Sequence, residues 1–194
     1  MPITLNGTTG VVTPGATVGS ITGILKATSG VVSQAVAGSD YGQLTLATAQ
    51  AASGTSVDFT GIPSWVKRIT VMLNGVSTNG GSILVQIGSG SIATTGYASC
   101  GALTAGAFYY KNATNGFVVN VHSLAYSATC NLSINLINSN SYISSHSGFL
   151  AGANDLTIFG GGNVNLSGVI DRLRITTQNG TDTFDAGTIN ISYE

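Results

Sequence analysis

From Ser56 onward the chain is written in short runs of alternating apolar and polar residues, broken by Gly-, Asn- and Ser-rich stretches. A two-residue period puts successive side chains on opposite faces of a strand, so each run reads as a strand with one buried side. The best-marked run spans residues 66–74, VKRITVMLN. In it Val66, Arg68, Thr70, Met72 and Asn74 share one face, and Lys67, Ile69, Val71 and Leu73 the other. Lys67 stands at the solvent end of that apolar face. The following GVSTNGG reads as a turn into residues 82–87, SILVQI, which predicts a hairpin-like connection. Further strands are expected at 56–59, 95–103, 116–121, 128–136, 141–150, 156–159, 169–176 and 188–193. About ten strands with no helical period between them predict an all-β, antiparallel sandwich, and their number at this length predicts a jelly-roll-like one. A β-helix would also consist of strands alone, but no short solenoid repeat is present and the strand spacing is irregular.

Residues 1–46 have a different texture. They are rich in Gly, Thr, Ser, Ala and Val and show only weak two-residue alternation. Such a segment buries too little apolar surface to offset the entropy of ordering it, so it reads as an extended N-terminal arm that needs a partner surface. The expected organisation is therefore an arm over 1–46 and a β-sandwich domain over 47–194.

Composition narrows the function classes. Charged residues are 7% of the chain, against about a quarter in an ordinary soluble protein. The formal net charge is −1 and the six Lys and Arg residues are scattered, so the counterion release that drives nucleic-acid binding has no basic patch to act through. Mean hydropathy is +0.34, yet no run approaches the roughly 18 apolar residues of a spanning helix, and no membrane insertion is expected. The N-terminal MPITLNGTTGVVTPG has neither the basic nor the apolar region of a secretory leader. Cys100 and Cys130 sit among small or apolar residues without metal-ligand spacing and read as two buried thiols.

Candidate chemistry is sparse. His122, in FVVNVHSL, and His146, in SYISSHSG, have no nearby carboxylate or Cys and read as hydrogen-bond-satisfied structural histidines or surface ones. Serines are abundant and Asp155, Asp171, Asp182 and Asp185 are available, but no Ser lies in a GxSxG context. FGGGN, residues 159–163, lacks the Lys-Ser/Thr of a phosphate loop and reads as a turn. NGTDTFDAG, residues 179–187, lacks the ligand pattern of a calcium loop and reads as a tight loop with Asx-type hydrogen bonds. No catalytic, cofactor or metal residue is expected. Asp171, Arg172 and Arg174 interrupt a strand in a chain that otherwise avoids charge. Arg172 and Arg174 share a face, and pairing with Asp182 or Asp185 would pin the last loop. Tyr97, Tyr126 and Tyr142 read as strand residues. Phe108, Tyr109 and Tyr110 fall between two expected strands, where a loop would present them as a contact surface.

Three stretches resemble bacteriophage virion proteins. TGILKATSGVVSQAVAGSDYG, residues 22–42, is similar to a connector of tail-fibre and related proteins, with Ser39 where Thr is usual. FTGIPSWVKRITVMLNGVSTNG, residues 59–80, and FDAGTINISYE, residues 184–194, resemble a recurrent domain of phage tail and structural proteins. The resemblance implies a β-sandwich without chemistry of its own, displayed as a homotrimer on the virion surface and assembled in the host cytoplasm. It also implies other virion proteins, of tail or capsid, as partners through the arm, and a glycan or protein of the host surface as a further contact. It carries over no catalytic residue. The chain has no long repetitive shaft, which implies a short tail fibre or receptor-binding subunit. A capsid decoration, or cement, protein at three-fold positions is the alternative, and a polysaccharide depolymerase the third.

Overall fold

The computed structural model describes residues 23–29, 31–121 and 125–194. The chain is all-β, and every pair of strands is antiparallel. It divides between Gly42 and Gln43 into two compact units.

In the first unit, β1 (Leu25–Thr28) and β2 (Val31–Gln34) form a hairpin. Asp40 closes it by accepting from the Val36 backbone N–H at 2.7 Å and pairing with Lys26 at 2.8 Å. Ile24, Leu25, Val31, Val32 and Val36 are all exposed. A hairpin of this size with no apolar face buried has little stability of its own in water.

The second unit holds two sheets. The strands are β3 (Thr45–Leu46), β4 (Gln50–Ala51), β5 (Ser56–Thr60), β6 (Arg68–Thr78), β7 (Ile83–Ser89), β8 (Ser91–Ile92), β9 (Ala98–Thr104), β10 (Phe108–Ala113), β11 (Phe117–Val119), β12 (Ser127–Asn138), β13 (Ser141–Ala151), β14 (Leu156–Asn165), β15 (Arg172–Thr177) and β16 (Phe184–Tyr193). Nine strands form one sheet in the order β10-β9-β14-β13-β12-β6-β16-β3, with β4 also on β16. Five form the other, β11-β7-β15-β5, with β8 on β7. One buried cluster joins them. Val71, Leu132, Leu150 and Ile158 from the large sheet meet Val85, Ile87, Leu173 and Ile175 from the small one. Each fully buried aliphatic side chain of this kind contributes about 2 kcal/mol. Two tyrosines lock loops onto this core. Tyr97 Oη accepts from Ile87 N–H at 2.8 Å and donates to Ile87 O at 3.1 Å, and Tyr142 Oη accepts from Ile170 N–H at 2.9 Å.

The strand expected at 66–74 does turn Ile69, Val71 and Leu73 inward. It does not stop at Asn74-Gly75, however. β6 continues to Thr78 through a bulge in which Asn74 and Gly75 together oppose Thr129, and Gly75 N–H donates to Thr129 Oγ1 at 3.0 Å. The extra residue shifts the inward positions from odd to even, so Val76 and Thr78 also face the core. β16 is re-phased alongside it by an extra residue of its own, Asp185, between Phe184 and Ala186, so Phe184 points inward together with Ile189 and Ile191. The hairpin expected between this strand and 82–87 is absent. β6 and β7 lie in different sheets, because the added length of β6 carries the chain to the end of the sandwich before it turns.

Two further expectations are corrected. Gly160, Gly161 and Gly162 are not a turn but lie inside β14. A Cβ on Gly160 would stand 2.4 Å from both the Cys100 carbonyl oxygen and the His146 ring, and one on Gly101 2.5 Å from the Val118 carbonyl oxygen. The strand glycines are therefore a steric requirement of close approach. Of the two cysteines, Cys130 is buried, and burial pushes its thiol up to about 12, whereas Cys100 is exposed. They stand on β12 and β9 with two strands between them, about 14 Å apart at the usual strand spacing, too far for a disulfide.

The two glycines that face each other at the β6 bulge give a test. Gly75 has φ +62° with open space beside it, whereas Gly187 has φ +103° and a Cβ there would stand 2.5 Å from the Gly75 carbonyl oxygen. Gly75→Ala is expected to cost about 1 kcal/mol from backbone conformation alone, and Gly187→Ala about 3 kcal/mol or more because backbone overlap adds to it. Denaturant unfolding of the two variants measures the difference; equal costs would mean that the two strands are not locked together as described.

Candidate functional site

Because the inner face of the nine-stranded sheet carries the apolar residues, its outer face displays the residues between them. Registers align these into cross-strand rows. One row runs Tyr110, Ala102, Phe159, Ser147, Asn131 and Met72 across β10, β9, β14, β13, β12 and β6. The row on one side of it holds Phe108, Thr104, Thr157, Phe149 and Thr129, and the row on the other holds Asn112, Cys100, Gly161, Ser145, Ser133 and Thr70. None of the three rows contains a charged side chain.

The face has two textures. Toward β10 it is aromatic: Phe108 is 75% exposed and Tyr110 71%, and Phe108 meets Phe159 edge-on with centroids 6.4 Å apart. Phe149 and Phe159 are also exposed. Toward β6 the face sinks into a trough of about 390 Å³ lined by Thr70, Asn131, Ser133, Ser145, His146 and Ser147. Phe108, Tyr109 and Tyr110 thus lie on an edge strand and not, as expected, in a loop, because Phe108–Ala113 completes six pairs with β9. Phe108 and Tyr110 share the outer face, while Tyr109, opposite the buried Leu103, has the other parity.

The charged residues are arranged differently from the expectation. Arg174 lies directly across from Asp58 on β5 and donates to it from Nε and Nη2, both at 2.7 Å. Arg172 faces Thr60 and instead donates to the adjacent Asp171 at 2.7 and 3.2 Å, which holds that carboxyl below its usual range. Asp182 and Asp185 are not their partners. Asp182 accepts from Gly81 N–H and Asp185 from Ser77 Oγ, so both carboxylates bind the end of β6 and the turn after it. Cross-strand register decided the pairing, and the sequence does not reveal which strand neighbours β15. Asn179 Oδ1 accepts from Thr181 and Asp182 N–H, both at 3.0 Å, which is the Asx-type turn expected there. A second cleft, of about 300 Å³, opens on the small sheet beside Arg174 and is lined by Thr55, Gln86, Asn115, Thr176 and Gln178 among others. Since Asp58 already takes two of its donors, Arg174 does not stand there as a free cation.

His122 lies outside the described residues. His146 is 5% exposed on the inner face of β13, between Leu132 on β12 and Gly160 on β14. Neither ring nitrogen has a hydrogen-bond partner, nor does the buried Ser144 Oγ two residues earlier. It is therefore neither a surface histidine nor a satisfied one, and no hydrogen bond joins it to a serine. Sequence reasoning missed its burial because SSHS contains no apolar residue. The usable signal was parity, since Tyr142 and Leu150 both point inward and His146 lies an even number of positions from each. Among the described residues, no three His, Cys, Asp or Glu side chains stand close enough to hold a metal ion, and no helix is long and apolar enough to cross a membrane. Comparison with known protein families, with curated proteins and with solved structures finds no match.

His146 predicts an acid response. Burial lowers its imidazole to about 4 from an ordinary value of 6.5. The inward residues beside it on β12 and β14, Cys130, Leu132, Ile134, Ile158, Gly160 and Gly162, include no charged group. Between pH 6.5 and 4 the unfolded chain binds a proton that the folded chain refuses. The contribution is therefore complete above 6.5, declines as pH falls and levels off below 4, for a total of about 3 kcal/mol. Urea unfolding of wild type and His146→Leu at pH 7, 5 and 4 should show this decline only in the wild type. The same decline in both proteins would assign acid sensitivity elsewhere.

Proposed function

We propose that this protein is a non-enzymatic structural protein of a phage particle, a short tail-fibre or receptor-binding subunit whose N-terminal segment mounts it and whose β-domain is displayed to the host. The observation that carries the reading is the outer face of the nine-stranded sheet, three rows deep, without charge and bordered by exposed aromatic side chains on β10. Folding does not require those aromatics to be exposed, whereas attachment does. The three motif resemblances and the low charge support the same assignment.

The jelly-roll-like topology and the arm belong to this proposal. Successive strands change sheet at β4 to β5, β5 to β6, β6 to β7, β8 to β9, β10 to β11, β11 to β12, β14 to β15 and β15 to β16, as chains do in double-sheet folds of that kind. The exposed Ile24, Leu25, Val31, Val32 and Val36 of the first unit supply an apolar surface for docking on virion proteins or on other copies in a homotrimer. Trimeric display fits weak single-site contacts, which become effective through multivalency. The same exposed segment also favours a second reading, a capsid decoration protein whose N-terminal segment lies over neighbouring head subunits.

Antibody raised against residues 43–194 and located on intact particles by electron microscopy tests the proposal. Label at the tail tip is expected. Label over the head would replace the receptor-binding reading with decoration, and unlabelled particles would remove the protein from the virion surface.

A further inference from the structure

Three features of the outer face specify a ligand more narrowly than attachment in general. The first is the trough, where beside His146, whose side chain is buried, stand four hydroxyls and one amide, those of Thr70, Ser133, Ser145, Ser147 and Asn131. Each of these five both donates and accepts hydrogen bonds, and so does every hydroxyl of a sugar ring. The second is the aromatic border in register with it. Ser147 is paired directly with Phe159, and beyond Phe159 the small Ala102 leaves a gap before Tyr110. Exposed rings of this kind cover apolar faces of a ligand while leaving its polar edges free. From Asn131 to Tyr110 the row crosses four strand spacings, about 19 Å, which suits an extended oligomer and not a single small molecule.

The third feature is electrostatic. The nearest guanidinium on this face, that of Arg68 at the start of β6, is already ion-paired with Glu194, and Lys111 has the opposite parity on β10. A polyanion would find no counter-charge in the three rows.

We propose that the outer face of β10-β9-β14-β13-β12 binds a neutral oligosaccharide, with sugar rings against Tyr110 and Phe159 and sugar hydroxyls in the trough. This deepens the receptor-binding reading and takes its biological setting from it. Individual contacts are weak, and assembly into several copies raises the avidity.

Saturation-transfer NMR and calorimetry on the full-length protein test it, with neutral glucan, mannan and galactan oligomers as probes and sulfated dextran as the anionic comparison. Transfer to at least one neutral oligomer and none to sulfated dextran is expected. Tyr110→Ala, Phe159→Ala and Ser147→Val should each weaken that binding about tenfold. All three positions are on the surface, so unchanged circular dichroism and melting are expected to accompany the loss. The inference is overturned by no transfer to any of the neutral oligomers, by preferential binding of sulfated dextran, or by binding that the three variants leave unchanged. It is equally overturned if the variants dissociate an assembly and no saccharide binds, since the face would then be a contact between copies. Particles that carry the antibody label while the protein binds no saccharide would leave the virion role standing and remove this inference alone.

Discussion

Alternation along the strands of the large sheet is the constraint on which the rest depends. A slip of one residue would exchange its two faces, placing Val71, Leu132 and Ile158 in water and Thr70, Ser133 and Phe159 in the core. The sheet holds its register through long antiparallel pairings, ten residue pairs between β13 and β14 among them. Where alternation has to be broken it is broken in two neighbouring strands together. The bulges at Gly75 of β6 and Asp185 of β16 allow the two strands to change phase side by side while both still cover the same core. Once the inner face is fixed in this way, the outer face is fixed too, including which aromatics and hydroxyls stand in one row.

The core so formed is not uniformly apolar. His146 occupies an inward position of β13 with both ring nitrogens unpaired, in space kept open by Gly160 on the next strand. Leaving such polar atoms without partners costs about 1–3 kcal/mol. Several nearby close approaches share this origin, since strand glycines allow β11 to come within contact distance of the large sheet at Gly101. The glycine-rich stretch of β14 therefore serves packing, and the half-buried Gly161 on its other face flattens the surface between Cys100 and Ser145.

Much of the fold was legible in the sequence. Period-two runs located most strands and the inward set Ile69, Val71 and Leu73, because burial on one face only imposes that period directly. The errors have physical causes. Asn74-Gly75 has the composition of a hairpin turn, but a positive-φ glycine serves a bulge as well as a turn. Phe108–Ala113 has five exposed residues in succession, so an edge strand with little buried on either face left no alternation to detect. Cys100 and the arginine pairings depended on which strands become neighbours, and that information is absent from local pattern. For the candidate site, the sequence singled out Phe108, Tyr109 and Tyr110. It could not show that Phe108 and Tyr110 join Phe149 and Phe159 on one face, since those residues come from three strands.

On the proposed reading, the outer face of the large sheet is the working part of the molecule. An inner face committed to packing leaves an outer face whose composition is free to serve contact, and its lack of charge is consistent with weak, repeated attachment. The most direct measurement is competition: purified protein is added to host cells before intact particles, and the adsorbed fraction is counted. Wild-type protein is expected to lower adsorption in a dose-dependent way, and protein carrying Phe108→Ser and Tyr110→Ser is expected not to. Undiminished adsorption at saturating wild-type protein, or equal blocking by the doubly substituted protein, would contradict that reading.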